Sequence, residues 1–341
     1  MMRRGWTVLT GAVLLLVLAA GLTAMPVPYV ALGPGPTVNT LGTADGKPVI
    51  QVIGHPTSTS RGNLNLTTVS VSGALDLGSA VRLWMDDDVA VVPRELVYPP
   101  NQSPKQTDQQ NAEEFKQSQS SAETAALRRL GFPVLVSVAE LTPGSPSAGQ
   151  LRPGDVITSI DRQPVTSRAR LLSLLRAHAP GETVTVGYRR GRQSGTARVV
   201  VGAAPDDASR AVLGVTVDQR QPHPFEVKIA LDRIGGPSAG LMFALGIVDK
   251  LDPADLTGGM FVAGTGTIDD DGTVGPIGGI PQKLVAARRA GATVFLTPAA
   301  NCAEAAGATP RGLRLVKVES LDGALTALAE LRDHAGSPAG C

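Results

Sequence analysis

Arg233-Ile234-Gly235-Gly236-Pro237-Ser238-Ala239-Gly240, running on into Leu241-Met242-Phe243-Ala244-Leu245-Gly246-Ile247-Val248, is the stretch around which the chain is organised. A glycine-glycine-proline turn delivers one serine to the start of an apolar run that carries no charge until Asp249. The run reads as a buried helix, with Pro237 near its first position and Ser238 at its open end. A helix N-terminus offers unpaired N–H groups and a partial positive charge, and both suit an oxyanion. The turn residues Gly236 and Pro237, with Ser238, are therefore candidates for an oxyanion-binding mouth. A serine hydroxyl also needs a base. Pro276-Ile277-Gly278-Gly279-Ile280-Pro281-Gln282-Lys283 supplies one, Lys283. Lysine acts as a base only if neutral near pH 7, and burial lowers its pKa from about 10.4. Leu284, Val285, Ala286 and Ala287 follow it, and a first-turn position opposes an added positive charge. Taken alone, Lys283 reads as a solvated first-turn lysine; the surrounding motifs change that reading.

With 341 residues the chain has room for two or three domains. Hydrophobic residues make up 43% and aromatics only 3%, so the cores must be built from Val, Leu, Ile and Ala. A net charge of +1 gives no reason to expect nucleic acid. Cys302 and Cys341 form no C-x-x-C pair; they either bridge or remain a buried and a free thiol. His55, His178, His223 and His334 are scattered and no H-E-x-x-H is present, so neither a metal nor a cofactor is expected.

Met1 to Arg4 is short and basic, and Trp6 to Met25 is free of charge. Twenty helical residues span about 30 Å, the thickness of a bilayer core. The reading is a cytoplasmic N-terminus over 1–5, a transmembrane anchor over 6–25 and a single-pass membrane protein whose bulk lies outside the cytoplasm. A cleaved signal peptide is the rival. Asn65–Ser72 alternates like a strand. Pro99–Ser121, rich in Gln and Ser, reads as an exposed loop leading to a helix near Ala112–Leu130.

Val134–Val138 reads as a strand. Gly144-Ser145-Pro146-Ser147-Ala148-Gly149-Gln150-Leu151-Arg152-Pro153-Gly154-Asp155-Val156-Ile157 follows, then a helix over Ser167–His178 and strands over Thr183–Tyr188 and Gly195–Val201. The pattern Leu-x-x-Gly-Asp-x-Ile between a Pro-Ala turn and a groove-covering helix resembles a PDZ domain. That resemblance implies a peptide ligand added to a sheet edge. Leu130-Gly131-Phe132 stands where a carboxylate-binding loop is expected. Pro146-Ser147-Ala148-Gly149 repeats the tetrapeptide of Pro237–Gly240. Ser147 has no partner lysine motif, and it reads as structural.

Beyond the PDZ-like unit, Phe261–Ile268 reads as a strand, Asp269–Gly272 as an acidic hairpin turn, and Pro281–Ala290 as a helix closed by Gly291. Gly-Pro-Ser-Ala-Gly, then Thr265-Gly266-x-Ile268, then Pro-Ile-Gly-Gly-x-x-x-Lys, occur in the order and spacing of the Lon proteolytic domain. This resemblance implies Ser238 as nucleophile, Lys283 as general base and Thr265 as its support. Many Lon proteases carry an acid three residues before the serine; here Gly235 stands there, and Asp232 is out of register. No G-x-x-x-x-G-K-[ST] occurs in the sequence.

The whole arrangement resembles the membrane-anchored PDZ–Lon proteases. It implies an α+β multidomain chain: an N-terminal transmembrane helix, a PDZ-like β-rich domain and a Lon-type α/β proteolytic domain. The expected divisions are 1–5, 6–25, 26–129 packing with the protease, 130–203 (PDZ), 204–335 (protease) and a tail at 336–341. The expected activity is an ATP-independent serine endopeptidase acting on unfolded or flexible proteins, with a peptide at the PDZ groove and a homo-oligomer, a hexamer, as the family's habit. The alternative is a PDZ scaffold whose protease-like domain no longer cuts.

Overall fold

The computed structural model describes residues 2–231 and 234–341, so Asp232 and Arg233 lie outside the described residues. The helices are α1 (Met2–Thr23), α2 (Leu77–Trp84), α3 (Pro104–Arg129), α4 (Arg168–Leu175), α5 (Gly240–Leu251), α6 (Ile280–Ala290), α7 (Cys302–Gly307) and α8 (Leu321–Arg332).

The expected transmembrane anchor over 6–25, and the single-pass membrane location built on it, are corrected. Among the described residues no helix is long and apolar enough to cross a membrane. α1 does form, as a 22-residue helix whose apolar sequence is interrupted by Thr10, Gly11, Gly21 and Thr23.

The chain divides into two compact units. The first comprises Met1–Val52, Pro56–Glu123 and Val227–Cys341. Its six-stranded sheet has the order Arg314–Val318, Val294–Pro298, Phe261–Gly264, Asn63–Ser72, Tyr29–Asn39, Ala90–Pro93. The first four strands pair in parallel and the last two join antiparallel. The centre of the parallel part is buried, and Val294-Phe295-Leu296 there reads as a continuous apolar run. Under it lies α5, whose Leu241, Met242, Phe243, Leu245 and Ile247 are fully buried. Each such side chain contributes roughly 1.5–3 kcal/mol by leaving water. α6 packs Ile280, Leu284 and Ala287 onto Ala263 and Phe295. Cys302 and Cys341 form a disulfide with Cα atoms 4.9 Å apart, which decides between the two readings of these cysteines.

The second unit comprises Ile53–His55 and Thr124–Glu226. Its sheet has the order Gln193–Val200, Thr183–Arg190, Val156–Ile160, Leu135–Leu141, Val215–Arg220, all antiparallel. Val136, Ile157, Val184 and Val186 meet Leu171, Leu174 and Leu175 of α4 in one core. The Gly-Asp pair of the motif has a physical task. Asp155 is 1% exposed and takes both nitrogens of the Arg190 fork at 2.7 Å, plus the Arg152 N–H at 2.8 Å. Arg190 holds its carboxyl below the usual range despite burial.

Two differences from the sequence reading affect the sites. The compact unit that holds the PDZ-like segment continues past 203 to Glu226, because Val215–Arg220 pairs with Leu135–Leu141. α3 begins at Pro104, well before residue 112. Ser103 Oγ accepts from the Gln106 N–H at 3.3 Å while Gln106 Oε1 accepts from the Ser103 N–H at 2.8 Å, a reciprocal cap.

Candidate active site

Ser238 lies half-buried in a groove of about 450 Å³, lined also by Thr67, Val69, Pro237, Gly278 and Lys283. Helix α5 starts at Gly240, so Ser238 and Ala239 form the turn before it rather than its first residues. The turn is tied from both sides. The Ser238 carbonyl accepts from the Gly266 N–H at 2.9 Å and from Thr265 Oγ1 at 3.0 Å. The Gly236 N–H donates to the Asn111 carbonyl at 2.9 Å, and Ser118 Oγ donates to the Pro237 carbonyl at 2.9 Å. Gly236 takes φ +82°, a region open to glycine at little cost.

Lys283 enters from α6. The helix opens on Gly279 at φ +68°, and a Cβ there would meet Val69 Cγ2 at 2.6 Å, so glycine is required twice over. This close approach brings the first turn of α6 against the Asn63–Ser72 strand and buries Lys283 to 3% exposure. Burial pushes its ammonium down to about 8. Its Nζ donates to Thr265 Oγ1 at 3.0 Å, and Thr265 is itself fully buried. One threonine thus links the Lys283 amine to the backbone of Ser238. The approach to α6 is fixed by Asn301, whose side chain accepts from the Ile277 N–H and donates to the Ile277 carbonyl, both at 2.9 Å.

Ser238, Lys283 and Thr265 are brought together. Gly236 and Pro237 shape the turn, but neither offers an N–H to an oxyanion: Gly236 is committed to Asn111 and proline has none. Sequence reasoning missed Asn111, Ser118 and Asn301. The first two lie in a Gln- and Ser-rich stretch that looks like solvated loop, and Asn301 carries no motif. The only available signal was Ser103-Pro104-Lys105-Gln106, a capping box that starts the helix bearing Asn111 and Ser118.

The second unit carries its own groove of about 100 Å³, between α4 and the edge strand Val215–Arg220, lined by Leu171, Leu172, Leu175, Leu213, Val215 and Val217 among others. The carboxylate-binding loop expected at Leu130-Gly131-Phe132 is not there. Gly131 follows α3, and Phe132 packs edge-on against Phe225 at 5.4 Å. The residues that turn into the edge strand are Leu213-Gly214, with Gly214 at φ +66°. Ser147, fully buried, donates to the Leu213 carbonyl at 2.6 Å and braces that loop.

Residues 111–201 match the family model of the PDZ domain, and residues 231–329 match that of the Lon protease (S16) C-terminal proteolytic domain. The chain joins a PDZ domain to a Lon-type proteolytic domain. The latter is a serine-peptidase domain, and the former is a peptide-binding one. Among curated proteins the chain is 35% identical over 130 residues to Lon protease 1 of Sorangium cellulosum, covering 37% of this chain and 16% of that one. It is 39% identical over 90 residues to the Lon protease of Heliobacterium modesticaldum, covering 26% and 11%. The chain therefore spans a small part of the length of these relatives. Among solved structures, the PDZ domain of an SdrC-like protein from Listeria innocua is 27% identical, with a TM-score of 0.24, covering 26% of this chain and 99% of that one.

Proposed function

We propose that the proteolytic domain is an ATP-independent serine endopeptidase with Ser238 as nucleophile and Lys283 as general base. The observation that carries this reading is the state of Lys283: an amine 3% exposed, pushed down to about 8, on the same groove as the Ser238 side chain. An amine with that pKa is substantially neutral in mildly alkaline solution, so it takes the Ser238 proton as the hydroxyl attacks the scissile carbonyl. The protonated amine then returns the proton to the leaving nitrogen, and water repeats the sequence on the acyl-enzyme. Thr265 holds the amine in place. The groove is open and partly apolar, which suits an extended, unfolded segment and not a folded surface. The groove beside Val215–Arg220 lies along the last strand in the order of its sheet, and it takes a peptide segment that brings the substrate to the chain.

The test is cleavage of unfolded casein by the full chain without ATP, beside Ser238→Ala. Cleavage by the wild type alone supports the reading. Equal cleavage by the variant overturns the nucleophile, and a requirement for ATP overturns the independence.

A further inference from the structure

We propose that Ser118 is a positioning residue for this reaction: by holding the Pro237 carbonyl, its hydroxyl aims the Ser238 peptide N–H into the groove as the oxyanion donor. The inference rests on the serine-peptidase reading above and adds to it a residue from outside the motifs.

The argument begins with the choice of donors. The Gly236 N–H is bonded to Asn111 and Pro237 has none, whereas the Ser238 N–H has no hydrogen-bond partner among the described residues. Its direction is not left to chance. Across a trans peptide the C=O of one residue and the N–H of the next point to opposite sides of the chain. Ser118 is 5% exposed on α3, and its Oγ lies 2.9 Å from the Pro237 oxygen. That contact turns the Pro237 carbonyl towards α3 and the Ser238 N–H away from it. The groove lies on the far side: among the described residues, none of α3 lines it, while Pro237, Ser238 and Ala239 do.

The packing leaves little room for the turn to rotate. A Cβ on Gly240 would meet Ser118 Oγ at 2.9 Å, and one on Gly235 would meet Asn111 Cβ at 3.0 Å. α3 therefore backs the turn at both of its ends. A serine inside a helix commonly bonds back to the carbonyl one turn earlier. Ser118 instead directs its proton out of its own helix to the residue before the nucleophile.

The experiment compares Ser118→Ala with Ser121→Ala in the full chain, using fluorescein-labelled casein, with melting temperatures measured alongside. Ser121 is a matched control: it is 7% exposed on the same helix, but its hydroxyl goes to Asp270 Oδ1 at 3.0 Å and not to the turn. Removing an oxyanion donor outright costs about 10²–10³ in kcat. Loosening one should cost about 10- to 100-fold in kcat, with KM within about twofold and the pH midpoint set by Lys283 unmoved. Ser121→Ala should keep kcat. Wild-type kcat in Ser118→Ala, equal losses in both variants, or a loss confined to KM would overturn the inference. Absence of cleavage by the wild type would overturn the peptidase reading, and this inference with it; an active wild type beside a fully active Ser118→Ala would overturn only the inference.

Discussion

The chain contains the tetrapeptide Pro-Ser-Ala-Gly twice, and the two copies do opposite things. At Pro146–Gly149 the serine is buried and its hydroxyl serves a neighbour, the Leu213 carbonyl beside the PDZ groove. At Pro237–Gly240 the serine lines a groove, and it is the backbone that is held: Pro237 by Ser118, and Ser238 by Thr265 and Gly266. In the first copy the motif is a brace. In the second it is the object being braced. Identical side chains acquire different chemistry from what the surrounding chain leaves unsatisfied, and a four-residue match carries no function until its hydrogen bonds are counted.

The largest expected break in the comparison is between the two serines. Ser238→Ala should lower casein cleavage by about 10⁴-fold or more with little change in melting temperature. Ser147→Ala should do the reverse. It removes the shorter of two side-chain donors to the Leu213 carbonyl, leaving Ser145 Oγ at 3.3 Å, and should cost about 1 kcal/mol of stability in urea unfolding, while kcat per folded molecule stays the same. Loss of cleavage in a folded Ser147→Ala would mean that the brace reaches the chemistry.

Lys283 sharpens the contrast, because among the described residues no lysine hydrogen-bonds to Ser147. Lys283→Arg should cost about 10³-fold or more, since guanidinium does not deprotonate at any working pH. Cleavage by the wild type should rise with pH through a midpoint near 8 and level off above it, following the neutral amine. Stability carries the same signature. The unfolded chain keeps the Lys283 proton to about 10.4, while the folded chain gives it up near 8. Below pH 8 the buried cation costs folding about 3 kcal/mol, and that cost is relieved progressively between about 8 and 10.4. Lys283→Met should therefore be inactive yet melt higher than the wild type at pH 6 to 7. A lower melting point would show that the ammonium is better solvated than its burial implies.

The smallest effects separate the two closing glycines. Gly149 has nothing within 4 Å of an added Cβ but sits at φ +78°. Gly149→Ala should cost about 1–2 kcal/mol through backbone strain alone. Gly240 is already helical, and an added Cβ meets Ile268 Cγ2 at 2.8 Å and Ser118 Oγ at 2.9 Å. Gly240→Ala should cost about 1–3 kcal/mol by overpacking and, unlike Gly149→Ala, should reduce kcat.

What could be read in advance follows the same division. The apolar run after Ser238, the Leu-x-x-Gly-Asp-x-Ile segment and the α6 boundaries were legible because hydrophobic period and glycine placement are local signals. Ser238, Lys283 and Thr265 were legible as an ordered set of motifs. α3 was not: Ser118 and Ser121 look like solvated residues, and only long-range bonds to Pro237 and Asp270 reveal them as interior. That Val215–Arg220 joins the sheet of the second unit was not legible, because its partner Leu135–Leu141 lies far upstream. The N-terminal run was read from its lack of charge, and among the described residues no helix is long and apolar enough to cross a membrane.

Thr265 sets the direction in which a proton can travel. A carbonyl oxygen cannot donate, so the contact with the Ser238 carbonyl fixes the threonine hydrogen on that side. Towards Lys283 the hydroxyl oxygen is then an acceptor only, and the amine is held through one of its hydrogens. The nitrogen lone pair stays unengaged by its holder. Had the hydroxyl faced the other way, it would have capped that lone pair and left the amine a poorer base. Gaining a proton adds a hydrogen to Lys283 and displaces no existing bond, so the contact works as a ratchet pawl: it lets the amine charge and discharge through successive turnovers without being reset.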